Sequence, residues 1–194
     1  MAFRKNLAQP PAERILAAAD KLFYMQGIRA VGVDAIAEAA GVSKRTLYNH
    51  YPSKDALIAA YLTARFRHIS PSDAPAEQQI LGVFDRLERV FASTGFRGCP
   101  FVNAVAEIGD PKHPASGIAA RFKEERRQWF KALVERIGVK DADGLATQLA
   151  ILTDGAIATA LVRGDPAYAR SARAAAQTLL DSAARARSTN SSRS

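Results

Sequence analysis

VDAIAEAAGVSKRTLYNHYPSK, residues 33–54, divides into two short helices joined by a tight turn. Ile36, Ala37 and Ala40 recur at helical spacing in the first. Gly41 supplies the turn, because a residue without Cβ takes a positive φ at little cost. Ser43 stands where a cap for the second helix belongs, its hydroxyl accepting from amides that the opening turn leaves unpaired. Leu47 and Tyr51, four apart, face inward with Val42, which leaves Lys44, Arg45, Thr46, Tyr48 and Asn49 on the outer side. A short helix with a dry inner face and an outer face of donors is what a helix-turn-helix presents to a DNA major groove.

The flanks extend the pattern from Ile15 to Leu62, ILAAADKLFYMQGIRAVGVDAIAEAAGVSKRTLYNHYPSKDALIAAYL. Its marks are the aromatic-Gly end of the first helix, IA-x-x-AGVS, TLY-x-HY and SK-x-x-L. In this ordered set the chain resembles the DNA-binding domain of the TetR (tetracycline-repressor) family of bacterial transcription regulators. Beyond Leu62 the resemblance is one of architecture.

Carried over residue by residue, the resemblance makes the turn Lys44–Thr46 the reader of sequence. Arg45 is the candidate for bidentate contact with a guanine, and Lys44 meets either a base or a phosphate. Tyr48 matches a family tyrosine that meets a phosphate or a thymine methyl. His50 either contacts the backbone, as in some members, or packs at the helix end. Lys54 matches a lysine that holds a phosphate. Tyr48 and Lys54 are thus positioning contacts. One departure stands out: the family commonly has Thr or Ser about where this chain has Val33, which has no hydroxyl for a phosphate. Arg29 is either the substitute phosphate contact or a solvated arginine.

With 48% hydrophobic and 24% charged residues, the composition is that of an ordinary soluble globular protein, and 194 residues suffice to bury a core. The most apolar segment, Leu145 to Val162, is interrupted by Gln148 and Asp154, short of an uninterrupted membrane span. MAFRKNLAQPPAE has charge without an apolar run behind it, unlike a signal peptide. Cys99 is the single cysteine, so no intramolecular disulfide forms and a reducing cytoplasm suits the chain. No Cys/His cluster has metal-ligand spacing, and no cofactor is expected. Residues 1–68 hold ten Lys/Arg against five Asp/Glu, and the remainder seventeen against fourteen. The basic excess is therefore densest in the part expected to face phosphates.

In chain order, residues 1–10 are an arm whose Arg4 and Lys5 either reach DNA or stay solvated. The first helix opens near Pro10–Pro11, carries Ile15, Leu16, Ala19, Leu22 and Phe23, and closes at Gly27. A linking helix runs from Lys54 to about His68, before the break at Ser70-Pro71-Ser72-Asp73. Helices follow over about Ala74–Thr94, CPFVNAVAEIG, about Pro114–Ile137, Asp141 or Asp143 to about Arg163, and Pro166 to near Arg185. The tail RARSTNSSRS has no long apolar residue and is expected to be disordered. The expected fold is all-α, with about nine helices. Residues 1–54 are the helix-turn-helix domain, 55–70 the linking helix, 71–186 a ligand-binding and dimerisation domain, and 187–194 the tail.

Phe84, Leu87, Phe91, Cys99, Phe101, Asn103, Phe122, Trp129, Phe130 and Asp154 are the candidates for lining a small-molecule cavity, mostly apolar with a few polar groups. Aromatics at helical spacing serve equally as plain core. Cys99 is a buried thiol or a redox sensor, the second requiring an exposed, low-pKa thiol. The last two helices are apolar on more than one side and need a second surface to bury against. Leu145, Leu149, Leu152 and Ala156 with Tyr168, Ala172, Ala175 and Leu179 are the expected homodimer interface, a second set (Ala150, Ile151, Ala158, Leu161) lying round the first of these helices. The expected function is a ligand-responsive repressor that binds a palindromic double-stranded operator as a dimer and leaves it when a small molecule binds. An activator and a ligand-independent architectural DNA-binding protein are the alternatives. An enzyme is not expected, since the three histidines are scattered and no nucleophile motif or phosphate loop occurs.

Overall fold

The computed structural model describes residues 9–66 and 72–191, with side chains to Arg185. These residues form nine α-helices and no strand. In order they are α1 (Pro11–Gln26), α2 (Val33–Ala40), α3 (Lys44–His50), α4 (Lys54–Arg65), α5 (Ala76–Phe91), α6 (Pro100–Ile108), α7 (Pro114–Ile137), α8 (Ala142–Arg163) and α9 (Ala167–Ser191). The arm with Arg4 and Lys5, and Ser70 and Pro71 of the expected break, lie outside the described residues. α4 is helical to Arg65. α9 continues to Ser191, past the Arg185 end suggested by the apolar spacing and into the segment expected to be disordered.

The helix ends follow from local chemistry. Pro11 opens α1, where a missing N–H costs nothing. The hydroxyls of Ser43 and Ser53 accept from Thr46 N and Ala56 N, each at 3.0 Å, and start α3 and α4. Asp141 does the same for α8, accepting from Gly144 N at 2.9 Å. Gly41 closes α2 at φ 63°, with Val42 N donating to Ala37 O at 3.0 Å, the left-handed end that favours glycine.

The chain divides into two compact units. The first comprises Met1–Arg67 with Pro100–Phe122, the second His68–Cys99 with Lys123–Ser194. In the first, α1 packs on α2, α3 and α4. Ile15, Ala19, Phe23, Ile36, Leu47, Leu57 and Leu62 are buried between them. This unit is larger than the 1–54 domain the sequence suggests, because it also holds α4, α6 and the start of α7. The end of α4 explains why: Phe66 meets Phe101 and Phe122 edge-on at 6.2 and 5.4 Å, and those two rings stack at 3.9 Å. Burying the apolar end of α4 takes residues from a hundred onward.

The second unit is built on α5, α8, α9 and the remainder of α7. Ile80, Phe84, Phe130, Val134, Leu149 and Ala176 lie at its centre. A polar seam joins α5 to α9: Asp85 meets Arg173 at 3.0 Å, Glu88 meets Arg170, and Glu77 accepts from Gln177 at 2.7 Å. Several of the residues expected at a dimer interface are used within the chain. Leu145, Leu149, Ala156 and Ala172 are buried in this unit's own core, Leu152, Tyr168 and Leu179 are partly buried against it, and Ala175 is half-buried. The large apolar side chains α8 leaves exposed are Ile151 (65%), Leu161 and Val162 (82%). With apolar residues on two stripes of one helix, spacing alone does not say which stripe faces inward.

Among the described residues α8 alone is long and apolar enough to cross a bilayer by length and composition, with a mean hydropathy of 1.5. The core helix of a soluble protein passes the same test. One stripe of α8 enters the core, and its Asp154 is ion-paired with Lys123 of α7.

Candidate nucleic-acid interface

The site is assembled on Leu47. It is the one buried side chain of α3, fully enclosed, and it turns every polar neighbour outward. Lys44, Arg45, Tyr48, Asn49 and His50 are exposed; Thr46 is half-buried. Tyr51 closes the inner side less completely than Leu47 does. Its hydroxyl donates to Ala12 O at 3.2 Å, tying the end of α3 to the start of α1. Burial raises its pKa above the usual tyrosine value, so the donor proton is kept.

The two ends of the recognition turn differ in a way the sequence did not announce. Lys44 is held by Asp34 in the first turn of α2, Nζ to Oδ1 at 2.9 Å and to Oδ2 at 3.1 Å. The bond to Asp34, then its charge, raises the pKa of Lys44. Asp34 thus engages at most two N–H groups of the Lys44 ammonium, which leaves the third for a base or a phosphate. No ion pair engages Arg45 among the described residues, and it projects freely. Thr46 is also committed, its hydroxyl 2.8 Å from that of Ser43. Replacing Ser43 by alanine removes the cap and leaves Thr46 N without its acceptor. The expected cost is about 0.5–2 kcal/mol, measured as a fall in the denaturation midpoint.

Two positioning candidates lie outside α3. Lys54 is half-buried at the start of α4 and Arg29 is exposed after α1. Gly32 caps α2 with no side-chain hydrogen bond, and Val33 is half-buried, so the departure noted above leaves the opening of α2 without a hydroxyl.

The candidate lining residues fall into both units. Phe101, Asn103 and Phe122 belong to the first; Phe84, Leu87, Phe91, Cys99, Trp129, Phe130 and Asp154 belong to the second. Phe84 and Phe130 are fully buried in the second core, where Phe130 meets Trp129 edge-on at 5.1 Å. Phe91 packs on Phe96 at 4.8 Å. Cys99 is 8% exposed.

Sequence reasoning missed three residues that shape the first unit: Asp34 as partner of Lys44, Glu107, whose carboxylate accepts from Arg29 N at 3.0 Å, and His113. The His113 ring accepts from Ala115 N at 3.1 Å through Nδ1 and lies 3.4 Å from Asp55 Oδ1 through Nε2. Only Asp34 had a local signal, its place in the opening turn of a helix that precedes a basic one.

Comparison with known proteins agrees with this geometry. The family profile "Bacterial regulatory proteins, tetR family" matches residues 15–61. A solved TetR-type regulator from Streptomyces avermitilis is 36% identical, with a TM-score of 0.78, over 90% of this chain and 98% of its own. SCO4454, a TetR-family transcriptional regulator from Streptomyces coelicolor, is 32% identical with a TM-score of 0.79, over 90% and 97%. The HTH-type transcriptional regulator YjdC of Escherichia coli is 25% identical over 87% of this chain and 92% of its own. The chain therefore belongs to the TetR family of bacterial transcription regulators. It is a DNA-binding regulator and not an enzyme.

Proposed function

We propose that this regulator is a ligand-responsive repressor, which binds a palindromic operator as a homodimer in the cytoplasm and is released by a small molecule. The observation that carries the DNA half of the reading is the exposed face Arg45, Tyr48, Asn49 and His50 raised on a buried Leu47. Lys54 and Arg29 flank it as backbone contacts, and Arg45 reads sequence.

The dimer half is supported by α8. Ile151, Gly155, Ala158, Thr159 and Val162 are all exposed and share one side of the helix. Gly155 and Ala158, set between two large apolar residues, allow close approach of a second copy, with Tyr168, Ala175 and Leu179 of α9 beside them. This replaces Leu145, Leu149, Ala156 and Ala172, which serve the chain's own core. Two heads related by a twofold axis read half-sites about one helical turn apart or somewhat more. An Ile151→Glu variant is expected to sediment as a monomer and to lose operator binding, while keeping its helical content. A dimer that survives this change would move the interface elsewhere.

Release follows from linkage. A ligand that fits only when the heads are wrongly spaced lowers DNA affinity, and DNA weakens ligand binding by the same factor. The candidate lining in the second unit is Leu87, Phe91, Cys99, Trp129 and Asp154 with Phe84 and Phe130; in the first it is Phe101, Asn103 and Phe122. The test is recovery and sequencing of host genomic fragments bound by the purified protein. One enriched palindrome supports the reading, and its neighbouring genes suggest metabolites to try as inducer. Broad enrichment without a motif supports an architectural protein instead. Transcription that falls when the regulator is deleted would make it an activator.

A further inference from the structure

The turn between α1 and α2 carries Arg29, and it is held from outside its own neighbourhood. On its inner side Ile28 and Val31 are buried. On its outer side stands Glu107, in the last turn of α6 and 78 residues further along the chain. Gly27 ends α1 at φ 92°. A Cβ built there would lie 2.9 Å from Glu107 Oε2 and 3.2 Å from Oε1. The place where any other residue would have a side chain is thus filled by this carboxylate. The same Oε2 accepts from Arg29 N at 3.0 Å.

Helix electrostatics does not explain this placement. The carboxylate lies at the C-terminal end of α1 and in the last turn of its own helix, and both ends carry negative partial charge. The favourable partner in the geometry is the Arg29 amide. We propose that Glu107 is a positioning residue for DNA binding: seated in the niche at Gly27 and holding the Arg29 amide, it fixes the α1–α2 turn and thereby aims Arg29 at a phosphate. This rests on the reading of Arg29 as a backbone contact, and the experiment separates the two.

The contacts that seat α6 and the segment after it do not use the carboxylate: Phe101 stacks on Phe122 at 3.9 Å, Ala104 is fully buried, and His113 lies 3.4 Å from Asp55, so α6 is expected to stay docked when the carboxylate is removed. The test measures binding of the full-length protein to a genomic fragment selected by the wild type, across a salt series. The proteins are wild type, E107A, E107Q, R29A and the double variant E107A/R29A. R29A is expected to weaken binding about tenfold near ~0.15 M salt and to lower the salt slope by about one per subunit, the mark of a lost phosphate contact. E107A is expected to reproduce both effects. E107Q keeps a carbonyl oxygen that accepts from the Arg29 N–H and is expected to bind as wild type does. The double variant is expected to be no weaker than R29A alone.

If R29A changes affinity and slope but E107A changes neither, the proposal fails while the reading of Arg29 stands. If the losses add in full, Glu107 acts independently of Arg29 and the proposal fails. If R29A itself has no effect, the phosphate reading fails and takes the proposal with it. A loss in E107A that E107Q does not restore also overturns it.

Discussion

Leu47→Ala is expected to cost about 2–5 kcal/mol of stability and to abolish DNA binding of every sequence alike. Leu47 has no exposed surface and is the one buried side chain of α3. α3 spans Lys44–His50, too short to persist as an isolated helix. It exists because one side chain is pinned against α1 and α2. Truncation leaves a cavity that the neighbours fill only in part, so the loss includes a packing term as well as transfer. Against a typical stability of about 5–15 kcal/mol, that is a large share. Tyr51, through its bond to Ala12 O, retains the chain's path but not the pitch of the reading face. Chemical denaturation combined with binding to selected and unrelated duplexes checks this. A cost under about 1 kcal/mol would mean that α3 is anchored by something other than Leu47.

Arg45→Ala is expected to do the reverse. Arg45 is exposed and outside any ion pair among the described residues, so its removal changes stability by no more than about 0.5 kcal/mol. On the proposed reading its loss removes a bidentate base contact, which contributes about 1–3 kcal/mol of discrimination. In the proposed twofold dimer both half-sites lose it, so the operator is expected to weaken by about 2–6 kcal/mol while unrelated DNA is bound nearly as before. The salt slope separates this from a phosphate contact. Lys54→Ala is expected to weaken all sequences together and to lower the slope by about one per subunit, whereas Arg45→Ala narrows the gap between operator and random DNA. Equal losses on both would reassign Arg45 to the backbone.

The helix-turn-helix was legible because its determinants are local. Gly41, the cap at Ser43 and the spacing of Leu47 each act within a few residues, and each stands in the structure where the sequence put it. The starts of α1, α7 and α8 were legible for the same reason. Choices that depend on distant residues were not. α8 carries two apolar stripes, and which one meets the core is decided by α5 and α9, not by α8 itself. Lys44 reads as a free cation until Asp34 of the neighbouring helix is placed beside it. Glu107 sits in an ordinary stretch, AEIG, and gains its role only when α6 is laid against a turn 78 residues earlier.

The first unit takes its last segment from Pro100–Phe122, and this bears on how the protein is made. A ribosome adds roughly 5–20 residues per second, so several seconds separate emergence of the helix-turn-helix from emergence of Phe101 and Phe122. During that interval the end of α4 around Phe66 is uncovered, and the nascent head is incomplete although its reading helix is already in place. A gene truncated shortly after α4 would therefore yield a fragment that carries the candidate DNA contacts Arg29, Arg45, Tyr48 and Lys54 yet lacks the two rings that meet Phe66, a substrate for chaperones rather than a miniature regulator.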